Sequence, residues 1–323
     1  MGTLLTIHHV KKYFLLENHP YFPGKKAVLR AVDDVSLKLM QGSIAGLVGE
    51  SGSGKSTLAK LIVQLFQPDS GDIFYKKTPL VQARNHNQSF LRREIQMIFQ
   101  NPYLSFNPRL KIESALGEVL KTHFSLSSSQ RKRRMIELLK QVNLPENSLQ
   151  KYPAQFSGGQ QQRLAIARAL AVNPNFLVAD EPVSSLDVSN QIQLLNLLRS
   201  LQQENGLTLL MISHDLRIIH QIAQIIFVMY AGKILEKAPT KAFFASPAHP
   251  YSQALLTATP KLSEDHLQTN FHVAGDPPDL TQPLPACPFS PRCPLAQDIC
   301  FSNVPPWQTL PSGQQVWCHF PIQ

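Results

Sequence analysis

The residues best suited to chemistry are Gly49-Glu50-Ser51-Gly52-Ser53-Gly54-Lys55-Ser56-Thr57, which match the spacing G-x-x-x-x-G-K-[ST] of a phosphate-binding loop. Glycines at 49, 52 and 54 let the backbone curl until several N–H groups point into one anion-sized cup. The positive end of the following helix points at the same cup. Lys55 would reach the β- and γ-phosphates of a nucleotide, and Ser56 would ligate Mg²⁺. Taken alone, the stretch also reads as a glycine-rich turn joining a strand to a helix. A second pair, Asp180-Glu181, follows the apolar run Phe176-Leu177-Val178-Ala179. At the end of a buried strand Asp180 could hold Mg²⁺ through water, and Glu181 could polarise an attacking water. Alone these are two solvated acids; downstream of a phosphate loop the catalytic reading wins. A third stretch, Ser157-Gly158-Gly159-Gln160, places a helix-capping serine before two glycines that leave the first helical amides uncovered. That is a second anion site, although an ordinary capped helix has the same pattern.

These groups need elements to hold them. Ser43 to Val48 reads as a buried strand running into the glycine loop, and Leu58, Leu61, Ile62 and Leu65 recur at helical spacing after it. Phe176–Ala179 and Leu207–Ile212 read as further buried strands. Between the last two, Leu194, Leu197, Leu198 and Leu201 form a helical stripe, with Asp187 or Ser189 as N-cap and Gly206 as C-terminal stop. Buried strands alternating with helices imply an α/β domain with a mostly parallel sheet. Residues 109–171 read as mainly helical and interrupt that alternation as a helical subdomain. Alternating residues around Ala27–Leu39, and Phe227–Ala238 with a turn at Ala231-Gly232, read as antiparallel edge strands.

In this order the phosphate loop, Ser157-Gly158-Gly159-Gln160, Asp180-Glu181, Ser185-Leu186-Asp187 and His214 resemble the motif set of ATP-binding cassette (ABC) ATPases. The resemblance covers nearly all of residues 1–246. It implies a P-loop ABC fold with a RecA-like parallel core, an antiparallel β edge and the helical subdomain. It also implies a head-to-tail dimer in which each ATP lies between one subunit's phosphate loop and the other's signature helix. Carried over residue by residue, it makes Glu181 the catalytic base, Gln100 the Q-loop residue touching Mg²⁺ or water, and His214 the switch histidine on the γ-phosphate. It places Ser185 to Asp187 in the D-loop and gives the adenine an aromatic ring, Phe14 or alternatively Tyr13. Gly49 to Thr57 would bind the triphosphate, with Ser56, Gln100 and Asp180 around Mg²⁺. Phe156 stands where the family usually has Leu, and Ser185 where Ala is common; neither change removes a catalytic group.

A narrower resemblance rests on Gly49-Glu50-Ser51-Gly52, Met97-Ile98-Phe99-Gln100-Asn101-Pro102, Ser105-Phe106-Asn107-Pro108-Arg109, Asp180-Glu181-Pro182-Val183-Ser184 and His249-Pro250-Tyr251. These look like the ATPases of oligopeptide/dipeptide importers, with Val183 nearer the F-type than the D-type subunit. That family implies a paralogous second ATPase, two membrane permeases and an extracytoplasmic peptide-binding protein. It also implies a peripheral position on the cytoplasmic face of a bacterial inner membrane. An importer of nickel or another small solute is the alternative reading.

The composition fits this outline. Of 323 residues, 43% are hydrophobic and 16% charged, which is globular composition. No apolar run reaches membrane-spanning length, and the N-terminus lacks the apolar core of a signal peptide. The net charge of +9 divides into +12 on residues 1–246 and −3 on residues 247–323. The later stretch also holds 14 of the 25 prolines and all four cysteines, so it reads as a Cys/Pro-rich extension. Cys287, Cys293, Cys300 and Cys318 suit a [4Fe–4S] cluster or Zn²⁺ by their chemistry. The resemblance favours the cluster, since some members carry one at matching cysteines; unliganded thiols are the third reading. The basic run Arg131-Lys132-Arg133-Arg134 could meet nucleic acid, but its helix continues as an apolar stripe through Met135, Ile136, Leu138 and Leu139. A solvated basic face explains it better. A nucleic-acid ABC ATPase would bring two cassettes or a long coiled-coil insertion, so no nucleic acid is expected. The intact motifs argue against a degenerate regulatory subunit.

Overall fold

Fourteen-residue strands Thr3–Leu16 and Ala27–Met40 run antiparallel, and Thr3–Leu16 pairs on its other edge with Ser70–Tyr75. From Asp34 to Met40 burial alternates strictly, with Val35, Leu37 and Leu39 inward, so one face packs and the other meets water. In this computed structural model residues 2–16, 27–80, 88–184, 186–259 and 275–322 are described. The chain divides into two compact units. One comprises Met1–Met40, Ile44–Val81 and Ser213–Gln323, and the other Gln41–Ser43 and Gln82–Ile212.

In the first unit the fully buried strand Ile44–Val48 lies parallel to Ile225–Tyr230. Ile225–Tyr230 turns back antiparallel into Lys233–Pro239. Ala231 and Gly232 make that turn with φ of 46° and 80°, the twist that tight hairpins require, as the sequence led us to expect. Beyond it, Lys233–Pro239 pairs with Gln315–Trp317, which pairs with Trp307–Thr309. The C-terminal residues thus extend the same sheet. The helix after the glycine loop, Lys55–Ile62, is shorter than the leucine spacing suggested. Gln64 turns left-handed at φ 61°, its side chain bonds Leu80 O, and Leu65 is left 55% exposed.

In the second unit, Ile95–Ile98, Phe176–Asp180 and Thr208–Ile212 form a parallel array. The strand Phe176–Asp180 is buried along its whole length, the mark of a strand covered on both faces. Helices Ile112–His123, Ser128–Gln141 and Gly158–Leu170 fall between the first two strands in sequence. Ser128–Gln141 buries Met135, Leu138 and Leu139 and keeps Lys132 and Arg133 in solvent. The helix Val188–Asn205 starts on Asp187, whose side chain accepts from Asn190 N, and stops at Gly206 with φ 64°. Among the described residues no helix is long and apolar enough to cross a membrane.

Candidate nucleotide site

The strand Ile44–Val48 ends at Gly49, where the chain must pass close to the neighbouring strand. A Cβ there would lie 2.0 Å from Met229 O, and one on Gly54 would lie 2.1 Å from Ala31 O. With φ of 151° and 104°, both positions admit glycine alone. The loop closes on itself through Ser53 N–H to Glu50 O at 3.2 Å, and Gly232 N–H anchors it on Ser53 O at 3.0 Å. The helix Lys55–Ile62 then begins without a side-chain cap, so its N-terminus suits a phosphate oxygen. Lys55 is 6% exposed, and its ammonium donates to Gly49 O (2.8 Å), Glu50 O (2.7 Å) and Ser53 Oγ (3.1 Å). A triphosphate entering the loop would compete for that ammonium. Ser51 and Gly52 are exposed at the rim, and Ser56 and Thr57 are half-buried. His214, in the same unit, is exposed just before the helix Leu216–Ile222. Its neighbour Asp215 caps that helix and takes the Arg217 guanidinium at 2.7 Å.

The second unit carries the acids. Asp180 closes its strand at 4% exposure. Glu181 follows with φ 46°, left-handed for a residue with a full side chain, and its N–H donates to Ile212 O at 2.9 Å. Such a conformation costs about 1–3 kcal/mol and clusters at functional positions. Its Oε2 accepts from Gln100 Nε2 at 2.8 Å, so the two residues named for water and metal already touch. In the same unit Ser157 caps Gly158–Leu170 in a reciprocal box with Gln160. A Cβ on Gly159 would come within 3.3 Å of the Asn190 amide, which is itself held by Asp187 at 2.6 Å. The Ser157–Gln160 stretch and Asp187 are therefore joined through Asn190. Hydrogen bonds from Asn190 hold the Asp187 carboxyl below its ordinary value. Ser185 lies outside the described residues.

Near the N-terminus, neighbouring strand residues face opposite ways. The Tyr13 hydroxyl donates to Asp33 Oδ1 at 2.6 Å, while the Phe14 ring meets Phe66 edge-on at 5.4 Å with Lys12 Nζ 5.5 Å from its centre.

The four cysteines line one small pocket together with His249 and Phe289. Even so, among the described residues no group of three or more His, Cys, Asp or Glu side chains is placed to hold a metal ion. Burial pushes Cys287 up to about 11 and Cys318 up to about 12, and raises Cys293 as well. The donors fit a four-thiolate site in kind and not in spacing. A contact that motif reading did not anticipate lies beside them: Arg292 reaches the phosphate-loop residue Glu50 at 3.0 Å. Only the lone arginine between Cys287 and Cys300, set in a proline-dense stretch, hinted at it.

Residues 32–184 match the family model of the ABC transporter, and residues 235–300 match the oligopeptide/dipeptide transporter C-terminal region. A probable peptide ABC transporter ATP-binding protein of Sinorhizobium fredii is 42% identical over 98% of this chain and 89% of its own. The dipeptide transport ATP-binding protein DppF of Haemophilus influenzae is 41% identical over 92% and 93%. Among solved structures, the dimeric ATP-binding cassette MJ0796 in a post-hydrolysis state with ADP and Pi superposes with a TM-score of 0.65. It is 28% identical, covering 73% of this chain and 99% of that one. The chain is an ABC ATPase with the P-loop α/β fold, and it belongs to the ABC transporter ATP-binding proteins of the oligopeptide/dipeptide type.

Proposed function

We propose that this chain hydrolyses ATP to drive peptide import. The observation that carries the hydrolytic part is Glu181: a carboxylate at the end of a buried strand, in a left-handed backbone, hydrogen-bonded to Gln100. The substrate class rests on the C-terminal region match and on relatives named for peptide or dipeptide transport.

In this reading Gly49, Ser51, Gly52, Ser53, Gly54, Lys55, Ser56 and Thr57 wrap the triphosphate. Lys55 exchanges its loop carbonyls for the β- and γ-phosphates. Phe14, or Tyr13 in its place, stacks on adenine. Ser56, Gln100 and Asp180 would hold Mg²⁺, which supplies charge neutralisation to the phosphates. Glu181 polarises the attacking water, a role that typically contributes 10²–10⁴-fold, and releases Gln100 as it does so. His214 donates to the γ-phosphate. Ser157, Gly158, Gly159, Gln160 and Asp187 serve the ATP of a partner cassette, the first amides of the helix at Gly158 and Gly159 lying beside the Ser157 cap where a phosphate can meet them. That partner is a paralogous ATPase, and two permeases with an extracytoplasmic binding protein complete the importer. The chain would sit peripherally on the cytoplasmic face of the inner membrane. Residues 1–246 form the ATPase body, with 109–171 as its helical subdomain reaching the permeases, and 247–323 the extension.

The four cysteines are proposed as ligands of a [4Fe–4S] cluster, with Zn²⁺ as the alternative. What supports this is their convergence on one pocket; binding would require the thiols to lose their protons and draw together. Iron, sulfide and zinc analysis of anaerobically purified protein decides between them, and a metal-free, folded preparation would remove the proposal. The transport reading is tested by co-purification and reconstitution. Permeases, a sister ATPase and peptide-stimulated ATPase activity support it; ATPase activity stimulated by nickel and not by peptide would overturn it.

A further inference from the structure

Glu50 places a carboxylate inside the phosphate loop, where a bound triphosphate would be repelled by it. Two residues from the far end of the chain take hold of it. The Tyr251 hydroxyl accepts the Glu50 N–H at 2.8 Å, and Arg292 Nη1 donates to the Glu50 carboxylate at 3.0 and 3.3 Å. The same Nη1 lies 3.2 Å from the Tyr230 hydroxyl. The site is built rather than incidental. Tyr230, Tyr251 and Phe289 are at most 1% exposed and pack as a triangle with ring centres 4.5, 5.4 and 5.3 Å apart. The Arg292 side chain is 12% exposed and that of Glu50 28%, so the ion pair is largely withdrawn from water.

The turn that presents Arg292 is bracketed by cysteines. Ser290 N–H and Oγ both donate to Cys287 O, Arg292 N–H donates to Phe289 O, and Cys293 N–H donates to Ser290 O. Cys287 N–H in turn donates to Cys300 O at 2.9 Å. Whatever orders Cys287 and Cys293 therefore orders Arg292.

We propose that Arg292 and Tyr251 are positioning residues of the nucleotide site: they neutralise and anchor Glu50, so that ATP affinity depends on the integrity of the cysteine-bearing turn. The inference rests on the ATP-binding reading of the loop and holds whether or not the cysteines carry metal. It assigns to the extension a task in nucleotide binding, distinct from any role in substrate choice.

The test uses the full-length chain with Mg²⁺ and methylanthraniloyl-ATP as probe, alongside steady-state ATPase of the assembled transporter. Losing a charge-assisted hydrogen bond in a half-buried site should weaken ATP binding about tenfold. R292Q should accordingly raise KM for ATP about tenfold with kcat changed less than about twofold, and R292K should recover part of the loss. The decisive arm is charge removal. E50Q/R292Q should bind the probe within about twofold of E50Q, because no carboxylate then needs a cation. If R292Q alone does not fold, the neutral double variant still carries the test. Unchanged ATP affinity in R292Q, or a double variant that binds much more weakly than E50Q, overturns the proposal. A wild-type chain that binds no probe would instead sink the ATP reading beneath it.

Discussion

Acid should loosen the C-terminal extension through one residue, His249. Its Nδ1 accepts the Tyr251 N–H at 2.9 Å, capping the helix Pro250–Thr257, so the ring hydrogen sits on Nε2. Burial pushes the imidazole down from 6.5 to about 3. A second proton would have to go to Nδ1 and would displace the Tyr251 N–H, so the folded protein resists it. The unfolded chain accepts that proton near the usual value of about 6.5. Between those two values the unfolded state binds more protons than the folded one, so stability rises with pH and falls as pH drops below about 6.5. From pH 7 to 4.5 the loss is about 2–3 kcal/mol, taking about 1.4 kcal/mol per unit. The fully buried Glu236 carboxylate, which accepts from His249 N–H at 2.8 Å, is raised by burial and acts in the opposite sense. A comparison with His249→Asn cancels that contribution. Asparagine keeps a capping oxygen and does not titrate. The lost ring volume costs about 1–3 kcal/mol at every pH. Thermal melts from pH 7 to 4.5 should show the wild type falling by several degrees more than H249N. Parallel curves would exclude His249 as a source of the acid sensitivity.

Gly54→Ala should destabilise the chain by about 2–4 kcal/mol, from a strained φ and a Cβ driven into Ala31 O, and should abolish nucleotide binding in a fluorescence titration. Gln100→Ala removes the partner of Glu181 Oε2; ATPase kcat should drop about 10–100-fold while ATP affinity stays within about threefold. In metal-free protein, Cys287 and Cys318, raised by burial to about 11 and 12, should react slowly with maleimide at pH 7.5 and roughly tenfold faster at pH 8.5. Ser157→Ala removes the capping oxygen of the signature helix, costing about 1 kcal/mol in a melt, and should slow ATPase turnover through the lost anion site.

Local chemistry made much of this molecule legible in advance. Asp187 and Gly206 bound their helix because one side chain can cap an N-terminus and only glycine turns left-handed without cost. Ala231-Gly232 gave away its hairpin for the same reason. The apolar runs at Ile44–Val48, Phe176–Asp180 and Thr208–Ile212 could hardly be anything but buried strands. What stayed hidden depends on long-range geometry. Nothing in the neighbourhood of Leu65 shows that Gln64 will turn away and bond Leu80. The contact from Arg292 to Glu50 joins residues 242 positions apart, beyond the reach of periodicity. Cysteine spacing pointed to a shared metal site, but how the four side chains are placed around their pocket depends on the folding of the whole extension, and among the described residues they form no metal-holding group.

In the proposed cycle Glu181 activates water for hydrolysis, while ATP binds independently of it. Glu181→Gln in the assembled transporter measures this directly. It keeps the size of the side chain and an oxygen near Gln100 while removing the basic carboxylate. ATP should bind at least as tightly as in the wild type and remain trapped, with turnover lowered about 100-fold or more. Steady-state ATPase activity at the wild-type rate would mean that Glu181 is not the base.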